Sequence, residues 1–344
     1  MQIYYYLLFV VFSRSVVSRS FSQNYQNFNG QLLTTINVGT PEISTNTVDF
    51  YVVDSQCVLF APNCLQNRRG GFDTSTSSTY AAPTSSFTGD YHKSNQNGDT
   101  AADLFPDTAT TTQIEFGVIS QPSGRFVQSN AMAVLGLGFP LIPNSFIMNF
   151  LSLAGAPVFN FYLRSFTYML PKTFDSTGTL TFGDINPNEC NLNYYYQHLD
   201  LRGQWIIKVG HVRMSRTKVR GGLLIVSPSS RYIYGPRTAV NILHRQIRAL
   251  YNKALREYVV SCSRVQRLPD LKFVVRSHKH VLTAREYTVR SVDGSTCIVL
   301  IKPITREFPS ISWVFGEPAF RDFCILFDYR RRRIGFSKPL TKII

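Results

Sequence analysis

Two apolar runs, each leading into a tight turn, recur in the two halves of this chain. The first is Phe50-Tyr51-Val52-Val53-Asp54-Ser55-Gln56 and the second is Leu224-Ile225-Val226-Ser227-Pro228-Ser229. Each is followed, at a similar distance, by two large apolar residues and a glycine: Val134-Leu135-Gly136, then Val314-Phe315-Gly316. The pattern reads as one ancestral lobe used twice. At 344 residues the chain is long enough for two such lobes and a large core.

The composition, 44% hydrophobic and 17% charged, is that of a folded chain. The 26 Phe and 18 Tyr, with many Val, Ile and Thr, favour strands over helices. Strand-like text begins near Asn29, with Gln31 to Val38 alternating into a Gly39-Thr40-Pro41 turn. Arg68 to Ser86 reads as loop, Phe87 to Asp107 and Thr111 to Ser120 as hairpin strands, and Phe146 to Phe150 as a helix. Thr238 to Arg256 is the clearest helix, with Val240, Leu243, Ile247, Leu250 and Tyr251 at helical spacing. Residues 28–190 are expected to form an amino-terminal lobe and 191–340 a carboxy-terminal lobe, joined near Asn186 to Asn191.

Residues 1–20 carry the apolar run Tyr4 to Phe12, too short to span a bilayer but suited to a signal peptide. The alternatives are an uncleaved anchor or a buried first strand. A signal would make the protein secreted, and six cysteines fit an oxidising compartment. No cysteine spacing reads as a zinc site, and His278-Lys279-His280 offers two imidazoles without an evident third ligand. Charge is uneven: residues 1–199 hold 8 Lys and Arg against 12 Asp and Glu, and residues 200–344 hold 28 against 9. That asymmetry reads either as attraction between the lobes plus solvated surface or as a site for an anionic surface, with Arg330-Arg331-Arg332-Arg333 as its sharpest feature. No nucleic-acid recognition motif is present.

The motifs together resemble the pepsin-like aspartic peptidases. Val38-Gly39-Thr40-Pro41 resembles the family's opening turn. Phe72-Asp73 with Ser75 to Tyr80 resembles the loop before its flap, and Leu135-Gly136-Leu137-Gly138-Phe139-Pro140 is a nearly unaltered family stretch. Trp313 to Glu317 and Phe327 to Phe336 resemble its last strands. The resemblance implies a mostly β, bilobal pepsin-like acid protease fold, two related strand-rich lobes with a cleft between them. It implies no cofactor, a monomer, and a disulfide Cys262–Cys297, with the pairs Cys190 and Cys324, and Cys57 and Cys64, each either bridged or free. Family catalysis uses two aspartates that share a proton and hold a water. Asp54 matches the first aspartate, and Ser227 stands where the second is expected. Gln56 and Ser229 replace family glycines, and Pro228 lacks the N–H of the family threonine. Asp54 therefore reads either as half of a catalytic pair or as a buried or capping carboxylate. Tyr91 matches the flap tyrosine and reads as cleft-lining or as an ordinary strand tyrosine.

The expected function is that of a secreted, non-proteolytic homologue able to hold an extended peptide in its cleft. An active aspartic endopeptidase, with a second carboxylate supplied from elsewhere, is the alternative. A binder of anionic surfaces is the third reading.

Overall fold

The computed structural model describes residues 20–28, 31–38, 43–47, 51–53, 75, 77–91, 94–105, 112–121, 123, 137–138, 146–169, 173–200, 205–228, 230–276, 278–291, 294–304 and 312–341. Strands dominate, as the aromatic and β-branched content requires. The largest sheet is antiparallel, with eight strands in the spatial order Tyr195–His198, Arg333–Ser337, Cys324–Asp328, Val158–Met169, Thr173–Phe182, Phe21–Phe28, Gln31–Val38 and Ile43–Thr47. Strands from both halves of the chain complete it, so neither half closes its hydrogen-bond ladder alone.

The strand Phe21–Phe28 begins earlier than the sequence pattern suggests. It pairs with Thr173–Phe182 on one side and Gln31–Val38 on the other. Its side chains alternate, but a glutamine hides the alternation. Phe21, Gln23 and Tyr25 are less exposed than Ser22 and Asn24, and Gln23 stands where an apolar residue would have announced a strand. Residues 1–19, the greater part of the signal-like segment, lie outside the described residues.

Aromatic packing accounts for the phenylalanine content. Phe21, Phe105, Phe146, Phe150 and Phe182 meet largely edge to face around the helix Phe146–Leu153. Phe159 stacks on Phe327 at 4.6 Å, and Trp205 and Tyr329 close over them. Such pairs add to area burial, and here they bind strands of the two halves together.

The first half adds a four-stranded sheet ordered Tyr51–Val53, Ile114–Gln121, Ser94–Asp103, Ala81–Tyr91. Its strand Ala81–Tyr91 overruns the loop expected up to Ser86. The second half adds a seven-stranded sheet, with Ile206–Met214 and Thr217–Val226 near its centre, and a four-stranded sheet containing Glu257–Ser261. The expected helix Thr238–Arg256 is shorter, Arg237–Ile247. Arg248 then turns left-handed at φ 53°, and its N–H reaches the carbonyls of Arg245 and His244 as a C-cap. Leu250 and Tyr251 continue the helical spacing, yet they lie exposed in a strand, Leu250–Asn252. The chain reverses at Arg248 to pair Leu250 with Val259, and that long-range pairing outweighs local periodicity.

Two disulfides are present among the described residues, Cys190–Cys324 and Cys262–Cys297. They close loops with sequence separations of 134 and 35. Restriction of the unfolded chain makes such links worth roughly 4–5 and 3–4 kcal/mol. The longer link ties the turn between the expected lobes to the shared sheet. Cys57 and Cys64 lie outside the described residues. No described helix is long and apolar enough to cross a membrane.

Candidate active site

Ser227 follows directly on the strand Thr217–Val226. That strand runs parallel to Trp313–Phe315, with Leu224, Ile225 and Val226 beside Trp313, Val314 and Phe315. On the other side of Trp313–Phe315 lies Ile233–Gly235, which meets Val314 through Tyr234. Ser227 at one side and Tyr232 at the other therefore flank the end of Trp313–Phe315. Backbone bonds hold this arrangement: Ser227 N–H donates to Phe315 O at 2.9 Å, Ser230 N–H to Ser227 O at 3.1 Å, and Glu317 N–H to Ser230 O at 2.7 Å. Ser227 is half-buried.

Gly316 makes this approach possible. A methyl group there would sit 2.2 Å from the carbonyl oxygen of Ser230 and 2.4 Å from that of Tyr232. Backbone on two sides cannot yield as a side chain can. Gly316→Ala is therefore expected to destabilise the protein by about 1–3 kcal/mol, the usual cost of overpacking, with denaturant melting as the check.

The Tyr232 side is anchored by a buried polar group that the sequence did not announce. Tyr232 Oη donates to Glu257 Oε1 at 2.9 Å. Lys302 Nζ lies 2.8 Å from the same carboxylate and 3.8 Å above the Tyr232 ring. Burial, then the charge of Glu257, raises the Tyr232 phenol above its ordinary pKa. Glu257 was hidden from sequence reasoning because it begins the strand Glu257–Ser261, immediately after the span read as helix. Lys302, 45 residues further on, carries no local signal.

Glu317 is the acid nearest in sequence to Gly316, and its carboxylate is turned to the shared sheet, where Ser176 Oγ donates to it. Burial and this carboxylate raise Tyr25 well above its ordinary pKa.

In the first half, Tyr51–Val53 runs parallel to Ile114–Gln121, with Val53 beside Ile119. This repeats the parallel pairing that leads to Ser227. Asp54, the next residue, lies outside the described residues, as do Gln56 and Ser229. Tyr91 ends the strand Ala81–Tyr91 and pairs with Ser94, which places its backbone at the end of that hairpin ladder. The Leu-Gly-Leu-Gly stretch is described at Leu137 and Gly138. Leu137 O accepts from Trp205 Nε1 at 2.7 Å and Tyr329 Oη at 3.0 Å. Trp205 O in turn accepts the N–H of Val226, the residue before Ser227, at 3.0 Å. One hydrogen-bonded path thus joins the first-half motif to the second-half loop.

His278 and His280 both pack against Tyr195, His280 buried and His278 at the surface. His278 stacks on that ring at 4.8 Å, and His280 Nδ1 bonds its hydroxyl at 2.7 Å. Among the described residues no three His, Cys, Asp or Glu are grouped to hold a metal ion.

A family model of the eukaryotic aspartyl proteases matches residues 31–339. The chain belongs to that family. Aspartic protease 17 of Caenorhabditis elegans is 23% identical over 350 residues, spanning 96% of this chain and 89% of the relative. Aspartic protease 1 of the same organism is 23% identical over 333 residues, with 92% and 84% covered. Renin of Canis lupus familiaris is 25% identical over 321 residues, with 88% and 77% covered. The bilobal, mostly β architecture is the pepsin-like fold of this family. Within an aspartyl protease fold, Trp205, Tyr329 and the Tyr232–Glu257–Lys302 group hold the carboxy-terminal loop from behind.

Proposed function

We propose that this aspartyl protease homologue is secreted and non-proteolytic, and that its cleft binds an extended peptide. The observation that carries the reading is a serine at 227, directly after a strand locked against Phe315 and Gly316. Family chemistry needs a second carboxylate there to share a proton with Asp54 and polarise the peptide carbonyl. A serine hydroxyl does not ionise in the working pH range, so it supplies neither role. Peptide capture does not depend on the pair, because strand-like binding draws on backbone hydrogen bonds and side-chain pockets. The antiparallel pairing of Ala81–Tyr91 with Ser94–Asp103, at the position of the family's flap, supports such a mode. The two disulfides support an oxidising compartment.

The test uses purified protein lacking residues 1–20, incubated with an acid-unfolded protein substrate between about pH 2 and 6, with and without pepstatin. No cleavage is expected at any pH. Pepstatin-sensitive fragments would overturn the reading.

A further inference from the structure

The seven-stranded sheet of the second half presents an outer face of unusual charge. Its inner side chains, among them Val212, Met214, Val219, Leu271, Phe273 and Leu282, are buried. Strand register then fixes which residues share the other face. One row across the strands reads Arg220, His211, Val274, Lys279. The next reads Lys218, Arg213, Lys272, Val281. Strands about 4.8 Å apart and a two-residue repeat of about 6.7 Å place these heads in a tight grid. Arg213 has Lys218 directly opposite on one side and Lys272 on the other, and like charges opposite one another destabilise a sheet. Against this stands Asp270, whose carboxylate is 3.5 Å from Lys272 in an exposed pair of little worth. Among the described residues no carboxylate lies within ion-pair distance of Arg213, Lys218, Arg220 or Lys279.

The face is hollowed. A cavity of about 630 Å³ is lined by His211, Arg213, Asp270, Lys272, Val274 and Lys279, with neighbouring residues. The arginine run that the sequence made prominent is less suited to a ligand. Arg333 is drawn in, its Nε 2.8 Å from Asp328 Oδ2 and its guanidinium 3.5 Å above the Tyr196 ring, which leaves Arg330, Arg331 and Arg332 exposed at a turn.

We propose that this cationic trough is a binding site for a linear sulfated polysaccharide. Uncompensated like charges are retained at a cost that a polyanion would remove, and a trough receives a chain where a flat lipid surface could not follow it. Neither row contains a Trp, Tyr or Phe, the large rings on which successive bases stack in single-stranded nucleic-acid sites. Large exposed apolar residues such as Leu250 and Tyr251, which a bilayer would engage, lie on another strand. The mechanism is electrostatic, so salt must weaken it. His211 makes it weakly pH-dependent. Burial, then Lys218 and Arg213, hold this imidazole below its usual pKa. Arg220 and Val274 lie directly beside it, and Lys272, Lys279 and Asp270 line the same hollow. A bound polyanion therefore raises the His211 pKa, and affinity rises as pH falls through it.

The experiment measures binding of heparin fragments to the full chain by calorimetry at several salt concentrations. One variant carries Arg213→Ser, Lys272→Ser and Lys279→Ser; a second carries Arg330→Ser, Arg331→Ser and Arg332→Ser. All six side chains lie on the surface, and matching thermal melts confirm that both variants fold. The unaltered protein and the second variant are expected to bind with salt-sensitive affinity, and the first to bind at least about tenfold more weakly, or about 1.4 kcal/mol. The proposal is overturned by absence of heparin binding, by undiminished binding in the first variant, or by loss confined to the second. Insensitivity to salt, or tighter binding of anionic vesicles or single-stranded DNA than of heparin, also overturns it. Lys218 lies nine residues before Ser227 on one strand, roughly 30 Å away, so failure here leaves the reading of the cleft untouched.

Discussion

Converting Ser227 to Asp and Ser229 to Gly together is expected to create pepstatin-sensitive cleavage at least about 10²-fold above that of the unaltered protein, the lower bound for one well-placed acid–base group. The backbone needed for this gain is in place. Phe315 O holds the N–H of residue 227, and Trp313–Phe315 is flanked by both arms of the loop. An aspartate at 227 would therefore leave the strand along the path that Ser227 takes now. Two carboxylates brought about 3 Å apart cannot both ionise, so one keeps a proton for the substrate carbonyl while the other activates water. Ser227→Asp alone is expected to give much less, because residues that act as a unit are grossly non-additive. Ser229 still puts a side chain where the family's glycine lets backbone approach the carboxylate. The rate should follow a bell-shaped pH profile bounded by the two pKa values of the pair. A folded double variant with no activity across about pH 2–6 would show that the machinery around Asp54 has been lost as well.

The strands on either side of this site were legible because they are short, apolar and punctuated by Gly and Pro. Trp313–Phe315 is an example, bounded by Gly316. The parallel pairing that seats Ser227 was not legible, since Leu224 and Trp313 are remote in sequence and no local pattern joins them. The same holds for the shared sheet, where Tyr195 pairs with Phe336 and Phe21 with Phe182. Helical spacing ran past Ile247 because Leu250 and Tyr251 keep the period. What ends the helix is a left-handed arginine, which no sequence rule marks as glycine would be marked. That over-extension also obscured Glu257. The basic excess of the second half was visible as a count, but its placement on one sheet face depends on register: a shift of one residue would turn Arg213 and Lys272 inward.

Acid should weaken this fold through His280. The imidazole is fully buried, with Nδ1 bonded to Tyr195 Oη at 2.7 Å and its ring against Phe315, Phe323 and Phe336. Among the described residues Nε2 has no hydrogen-bond partner. Burial chiefly, then His278 and Lys338, lower its pKa from 6.5 to about 3. Above about pH 6.5 neither the folded nor the unfolded chain holds a proton at this site, and its contribution to stability is complete. Between about 6.5 and 3 the unfolded chain takes up a proton that the native state refuses, so stability falls as pH falls, by at most about 1.4 kcal/mol per pH unit. The whole window is worth about 5 kcal/mol, comparable to the net stability of many proteins. His244, also buried and lowered in pKa, acts in the same direction. Denaturant melts at intervals from pH 7.5 to 4 are expected to show this slope, and His280→Gln, which keeps an amide for Tyr195, should flatten it whatever its effect on stability at neutral pH. An imidazole resonance of His280 that titrates near pH 6.5 in the native protein would contradict the assignment.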